Sequence, residues 1–345
     1  MPYAIRLGAM STNPDGNGVI LVGGQKPGNI DLDSILELKT DGQGWVGAWT
    51  ILTTKLQFAR RAHIMIPISM DLCGITTATT TTAPTTTTAT TTTINPLFGP
   101  NATATKTTNQ RYFVAAGYPS ASGVKSEIVD LLDPSKSCLL EDITPHRWIA
   151  RGGLLGTTPV ICGGWVAIGS GNSLSDECIL YGTTQVVNMN SINNYHVSVG
   201  LNSSMIWILG GHRDGSDVLD TTEFITVNGA VNGPTLPEKL TYSCGVKFPD
   251  NGKVYMIGGH TVTSYVKNVW VADPLDGYTS FTQGPSLSEN KCNLHCGTMS
   301  VGAKSIIVAA GGHNAENFLE SVEILDPLSN QWVHGKYILL HPMYL

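Results

Sequence analysis

The feature that most constrains this chain is a hydrophobic run closed by a glycine pair, and the feature recurs. Val19-Ile20-Leu21-Val22 runs into Gly23 and Gly24, Val160-Ile161-Cys162 into Gly163 and Gly164, and Ile206-Trp207-Ile208-Leu209 into Gly210 and Gly211. Val254-Tyr255-Met256-Ile257 precedes Gly258 and Gly259, and Ile306-Ile307-Val308-Ala309-Ala310 precedes Gly311 and Gly312. A degenerate copy, Tyr112-Phe113-Val114-Ala115, ends in Ala116-Gly117. The later copies stand roughly 46 to 53 residues apart, and the first gap is about twice as long, which an insertion explains. Such a period marks a supersecondary unit that buries its core only against copies of itself. The glycines serve close backbone packing or a positive φ, both of which a side chain would obstruct.

Each glycine pair is followed by a polar loop and a further strand, as in Ser34-Ile35-Leu36-Glu37-Leu38, Glu127-Ile128-Val129-Asp130-Leu131, Asn268-Val269-Trp270-Val271 and Ser321-Val322-Glu323-Ile324-Leu325. Several of these exit through Asp-Pro (Asp133-Pro134, Asp273-Pro274, Asp326-Pro327), where proline presets the turn and cannot continue a central ladder. A short strand with Trp49 or Trp332 follows twice, and a short strand precedes the pair, as in Tyr242–Phe248 and Leu294–Met299. The unit is therefore four strands. One such sheet cannot bury both faces, whereas a closed ring of them buries both and protects its edges. The expected fold is all-β: a single β-propeller over residues 1–345, with six four-stranded blades. The tail Tyr337–Leu345 could start another inner strand, so a seventh blade and the seam of the ring stay open.

With these repeats the chain resembles kelch-repeat proteins over essentially all of its length outside the insertion. More narrowly, Asp41-Gly42-Gln43-Gly44-Trp45 and Pro159-Val160-Ile161-Cys162-Gly163-Gly164 resemble secreted kelch proteins of aquatic invertebrates. It departs from that pattern in lacking most outer-strand tryptophans and in Ala116.

Composition narrows the partners. Charged residues are only 13% of the chain and the net charge is −6, so there is no basic stripe for nucleic acid. No apolar run of 18 residues could form a spanning helix. The start, Met1-Pro2-Tyr3-Ala4-Ile5-Arg6, lacks the apolar core of a secretory leader. That suggests a cytosolic protein, or a processed or partial chain.

Residues 76 to 93 are almost all threonine, broken by alanine and Pro84. Such a tract buries too little apolar surface to offset chain ordering. It reads as a disordered insertion over 76–108, in the hairpin joining the first two strands of the second blade, where a long loop costs little extra. The composition suits mucin-like O-glycosylation at Thr79, Thr80, Thr81, Thr82, Thr85, Thr86, Thr87 and Thr88, with neutral repeat expansion as the alternative. Two N-glycosylation sequons begin at Asn101 and Asn202.

Seven cysteines leave at least one without a partner in the chain. Cys162 and Cys178 fall on neighbouring strands of one blade and are the disulfide candidate. Cys244 and Cys296 read as separate buried thiols flanking the channel, and Cys73 and Cys138 as a second pair within the second blade.

His212, His260 and His313 each follow a glycine pair; three histidines could bind zinc only by converging on one point, and neighbouring blades should hold them apart. Arg60, Arg61, His63, His146, Arg147 and Arg151 fall near entries to inner strands, as a salt-bridged rim or as a site for an anion or glycan acid. No nucleophile elbow, phosphate loop, His-Glu-x-x-His pair or sialidase Asp-box is present. The expectation is a non-enzymatic extracellular binding or structural module, without cofactor or metal. A protein or glycan would be its partner, and the rigid discs could also stack on themselves. The rivals are an intracellular adaptor binding actin or ubiquitin-ligase substrates and, behind it, a copper-radical oxidase or glycan hydrolase.

Overall fold

The computed structural model describes residues 1–13, 15–40, 47–69, 72–73, 111–118, 125–169, 171–214, 217–302, 304–326 and 329–335. The proposed O-glycosylation threonines, Asn101, the whole 76–108 insertion, the Asp41–Trp45 motif and the tail from Tyr337 lie outside the described residues.

Six four-stranded antiparallel sheets follow one another along the described chain, and within each the strands lie side by side in sequence order. The inner strands are Ala9–Thr12, Ile64–Ile68, Arg151–Leu155, Val197–Asn202, Cys244–Lys247 and His295–Val301. Beside them lie the strands that lead into the glycine pairs: Gly18–Val22, Arg111–Ala115, Thr158–Cys162, Met205–Leu209, Val254–His260 and Lys304–Ala310. A third and an outer strand complete each sheet. This is an all-β propeller, as the repeat implies.

The side-chain pattern explains the arrangement. In Val197–Asn202 buried and more exposed residues alternate, the signature of a strand with one solvated face. Gly18–Val22 is buried throughout, because both of its faces meet other sheets. Ile20 and Val22 pack with Tyr112 and Val114 of the second sheet, while Val19 packs with Ile306 and Val308 of the sixth. Six apolar clusters of this kind each join two consecutive sheets, and the last joins the sixth to the first.

The backbone repeats the same cycle. In every sheet the N–H of the second residue of the glycine pair donates to a carbonyl at the start of the next inner strand. Gly24 reaches Arg60 at 2.8 Å, Gly117 reaches Arg147 at 3.0 Å and Gly164 reaches Asn193 at 2.8 Å. Gly211 reaches Leu240 at 2.8 Å, Gly259 reaches Lys291 at 2.7 Å, and Gly312 returns to Ile5 at 2.8 Å. Thr12 of the first sheet also donates through its hydroxyl to the Thr298 carbonyl of the sixth, at 2.7 Å. The first and sixth sheets are therefore bonded neighbours.

Two short additions were not legible in the repeat. The loop after the first glycine pair forms a ribbon, Gln25–Lys26 with Ile30–Asp31, and the loop after the third forms Trp165–Ile168 and Gly171–Leu174, which pair with each other and with Arg147–Trp148.

Candidate functional site

The strand order gives the disc two different faces. Turns between inner and second strands open on one face; the glycine pairs and the entries to the inner strands open on the other. On the glycine face the residue after each pair bridges to an inner-strand entry. The bridges are Gln25 to Arg6, Tyr118 to Arg61, His212 to Asn194, His260 to Thr241 and His313 to Cys292, and Trp165 to Trp148. The next residue of each entry, Leu7, Ala62, Ile149, Tyr195, Tyr242 or Asn293, has a φ between 48° and 62°. Four hydrogen bonds link these six residues in two runs: the Ala62 N–H donates to Leu7 and Ile149 to Ala62, and Tyr242 donates to Tyr195 and Asn293 to Tyr242.

This register sets aromatic side chains next to one another around the glycine face. Tyr195 contacts His212 (ring centroids 5.7 Å apart) and Tyr242 (4.1 Å), and Tyr242 contacts His260 (6.4 Å). His260 meets Tyr265 at 4.7 Å, Tyr265 meets His313 at 5.6 Å, and His313 meets Phe318 at 6.3 Å. The Arg6 guanidinium caps the arc, 4.5 Å from the Phe318 ring centre. All these rings are half-buried, offering part of their surface to solvent. The three histidines thus sit in successive links of an aromatic arc, not around one point. Among the described residues no group of three or more His, Cys, Asp or Glu side chains is placed to hold a metal ion.

The six basic residues singled out at inner-strand entries have separate fates. Arg60 is fully buried and donates to Glu127 at 2.8 Å; Arg147, also fully buried, pairs with Glu177 at 3.3 Å. Arg61 pairs with Asp31 at 2.6 Å and lies over the Tyr118 ring. His146 meets Asp142 at 2.6 Å. Arg151 and His63 instead line a cavity on the axis.

That cavity, about 140 Å³, is lined by all six inner strands, with His63, Arg151, Ser198, Ser243, the Cys244 and Cys296 sulfurs, and His295 on its wall. His63, His196 and His295 are each at most 4% exposed. Burial, then the Arg151 charge, holds His196 and His295 down to about 3. Burial, with Arg60 and Arg151 nearby, puts His63 well below the ordinary histidine range. A histidine kept neutral in the fold but free to charge when unfolded gives stability that is complete above pH ~6.5 and declines below it, by roughly 1.4 kcal/mol per pH unit for each such histidine. His146 works the other way: burial opposes its charge, but the Asp142 contact outweighs this and raises it. The urea midpoint is expected to fall clearly between pH 7 and pH 5, and less so in His196→Leu. A flat midpoint across that window would contradict the neutral-histidine assignment.

Three cysteine pairs lie at disulfide distance: Cys73 with Cys138, Cys162 with Cys178, and Cys244 with Cys296. Cys162 and Cys178 are direct cross-strand partners. The expectation of separate thiols for Cys244 and Cys296 is corrected. Cys244 stands opposite Ile257, next to its glycine pair, and Cys296 opposite Ala309, one step further along. That offset between adjacent inner strands brings the sulfurs together, with the Cα atoms 5.9 Å apart. Cys292 alone is a free thiol. It lies 3.5 Å from the His313 ring nitrogens, but burial raises it to about 12, so it stays protonated near neutrality and is a poor nucleophile.

Asn202 is exposed at the end of the fourth sheet's inner strand, beside the turn to the second strand, where its side-chain oxygen accepts from the Ser204 N–H at 2.8 Å. Ile68 and Arg111, which flank the undescribed threonine segment, are partners at the corresponding end of the second sheet. Both positions belong to the face opposite the aromatic arc.

Compared with known families, the chain matches the Kelch motif over residues 300–336. That span takes in the strand Lys304–Ala310, the pair Gly311 and Gly312, and the third and outer strands of the sixth sheet. No curated protein matches the chain.

Proposed function

We propose that this chain is a non-enzymatic binding and structural module of the extracellular space, in a matrix, coat or adhesive assembly. Kelch repeats are protein-binding propeller modules, and the glycine face is the surface on which this one would engage a protein or glycan. The observation that carries the reading is the arc from Tyr195 to Phe318. Half-exposed aromatic rings held by bridged backbone give large contact area at little cost in side-chain entropy. The three cysteine pairs at disulfide distance favour an oxidising compartment. The opposite face would carry the sugars: Asn202, Asn101 and the O-glycosylated threonines of the 76–108 insertion, leaving the aromatic face uncovered.

Mass spectrometry of the native protein, reduced and unreduced, tests the compartment. Three disulfides with Cys292 free, and hexose or HexNAc on residues 76–108, are expected. Unmodified threonines with all seven thiols free would sink the extracellular reading. Hydroxyl-radical footprinting of native assembled material against the isolated chain tests the face. Tyr242, Tyr265 and His313 are expected to lose reactivity on assembly while the exposed Leu275 does not. Protection of Leu275 with the arc unchanged would place the interface elsewhere.

A further inference from the structure

The axial cavity has a composition that neither the fold nor the aromatic face requires. A propeller axis can be lined by small apolar residues, as Ala9, Gly152 and Gly245 line part of this one. Here the wall also holds a guanidinium, and among the described residues Arg151 has no carboxylate partner; its hydrogen bond is to the Ala150 carbonyl beside it, at 3.1 Å. The other arginines at inner-strand entries in the second and third sheets meet carboxylates within 3.3 Å. His63, 1% exposed, has no hydrogen-bond partner on either ring nitrogen, and the Nε2 of His295 likewise has none. Unmet buried polar groups are costly and call for an occupant or a water. The Ser198 and Ser243 side chains also belong to the wall, though their hydroxyls already donate to Gly152 and Gly258. Among the described residues, the wall contains no carboxylate.

From this geometry we propose that the axial cavity binds a small oxyanion, with the Arg151 guanidinium as counter-charge and the His63 ring as a hydrogen-bond donor. Arginine suits this role because its fork can meet two oxygens at once. The volume of about 140 Å³ admits an ion of sulfate size. The bound ion would neutralise the Arg151 charge where all six sheets meet, and so stabilise the ring as a whole.

The experiment is thermal unfolding of the full chain in millimolar sulfate, with acetate and sodium chloride at equal ionic strength, beside Arg151→Gln. Sulfate is expected to raise the wild-type midpoint in a saturable way, as a ligand of the native state does, with chloride inert. An equal response to acetate would assign the site to carboxylates. Arg151→Gln should abolish the saturable rise and, without anion, unfold at a higher temperature than the wild type, because a partly buried charge without a carboxylate partner is gone. General salting effects of sulfate act on both proteins alike. The proposal is overturned if no anion gives a saturable shift, or if Arg151→Gln responds as the wild type does. Calorimetric titration with sulfate at constant temperature measures the same binding without unfolding the protein, and an absence of binding heat in the wild type would overturn the proposal equally.

Discussion

Replacing Gly312 by alanine is expected to destabilise the protein by ~2–5 kcal/mol, far more than the same change at Gly182. Both glycines have positive φ, +87° and +77°, so both variants incur the left-handed penalty of ~1–2 kcal/mol. They differ in what the new methyl meets. At Gly182 there is nothing within 4 Å, whereas at Gly312 it would come 2.5 Å from the Cys292 carbonyl oxygen and 3.0 Å from Leu294 backbone atoms. Backbone cannot rotate aside as a side chain can, and overpacking of this kind adds ~1–3 kcal/mol. The site is also the seam, since the Gly312 N–H bonds to Ile5. Urea unfolding of the two variants beside the wild type measures the difference. Equal midpoints for Gly312→Ala and Gly182→Ala would mean that the close approach has no energetic weight.

The same contact explains why the fold was legible. In the equivalent position of the other five sheets, a methyl on Gly24, Gly117, Gly164, Gly211 or Gly259 would lie 2.6–2.9 Å from the carbonyl of Arg6, Arg61, Trp148, Asn194 or Thr241. One recurring backbone approach imposes glycine six times, so the period survives in a single sequence. The preceding position is less strict: Ala116 occupies it at a φ of +61°. The aromatic arc was not legible because its members come from unlike places: Tyr195 and Tyr242 from strand entries, His212, His260 and His313 after glycine pairs, Tyr265 and Phe318 further on. Only the bridges between successive segments set them side by side. The sequence reading treated the three histidines as separate loop residues and missed the tyrosines that stand between them. The Cys244 and Cys296 pairing failed for a similar reason, since a one-residue offset between strands of different sheets leaves no local trace.

Glu127→Ala is expected to cost ~3–5 kcal/mol, although Glu127 is not a member of the aromatic arc. It would leave the Arg60 guanidinium, 0% exposed, with only the Ala116 and Lys125 carbonyls as acceptors, and a buried charge stripped of its partner carries a penalty of that size. It would also orphan the Gln57 N–H, which donates to Glu127 at 2.9 Å. The two losses can be separated. Glu223 and Glu323, at the corresponding place in the fourth and sixth sheets, accept from the Asn190 and Ser288 N–H groups, yet only Glu323 has a buried cation, Lys291, at 3.2 Å. Capping the linker backbone is therefore the shared role, and the cation is an addition to it. Arg60→Met combined with Glu127→Gln keeps an acceptor for Gln57 and removes both charges, so it should recover most of the stability that Glu127→Ala loses. Asp217→Ala, which breaks the exposed Arg213 pair, should change stability by less than ~1 kcal/mol. Chemical denaturation of these variants decides the matter: a double variant as unstable as Glu127→Ala would show that neither the stranded charge nor the cap accounts for the loss.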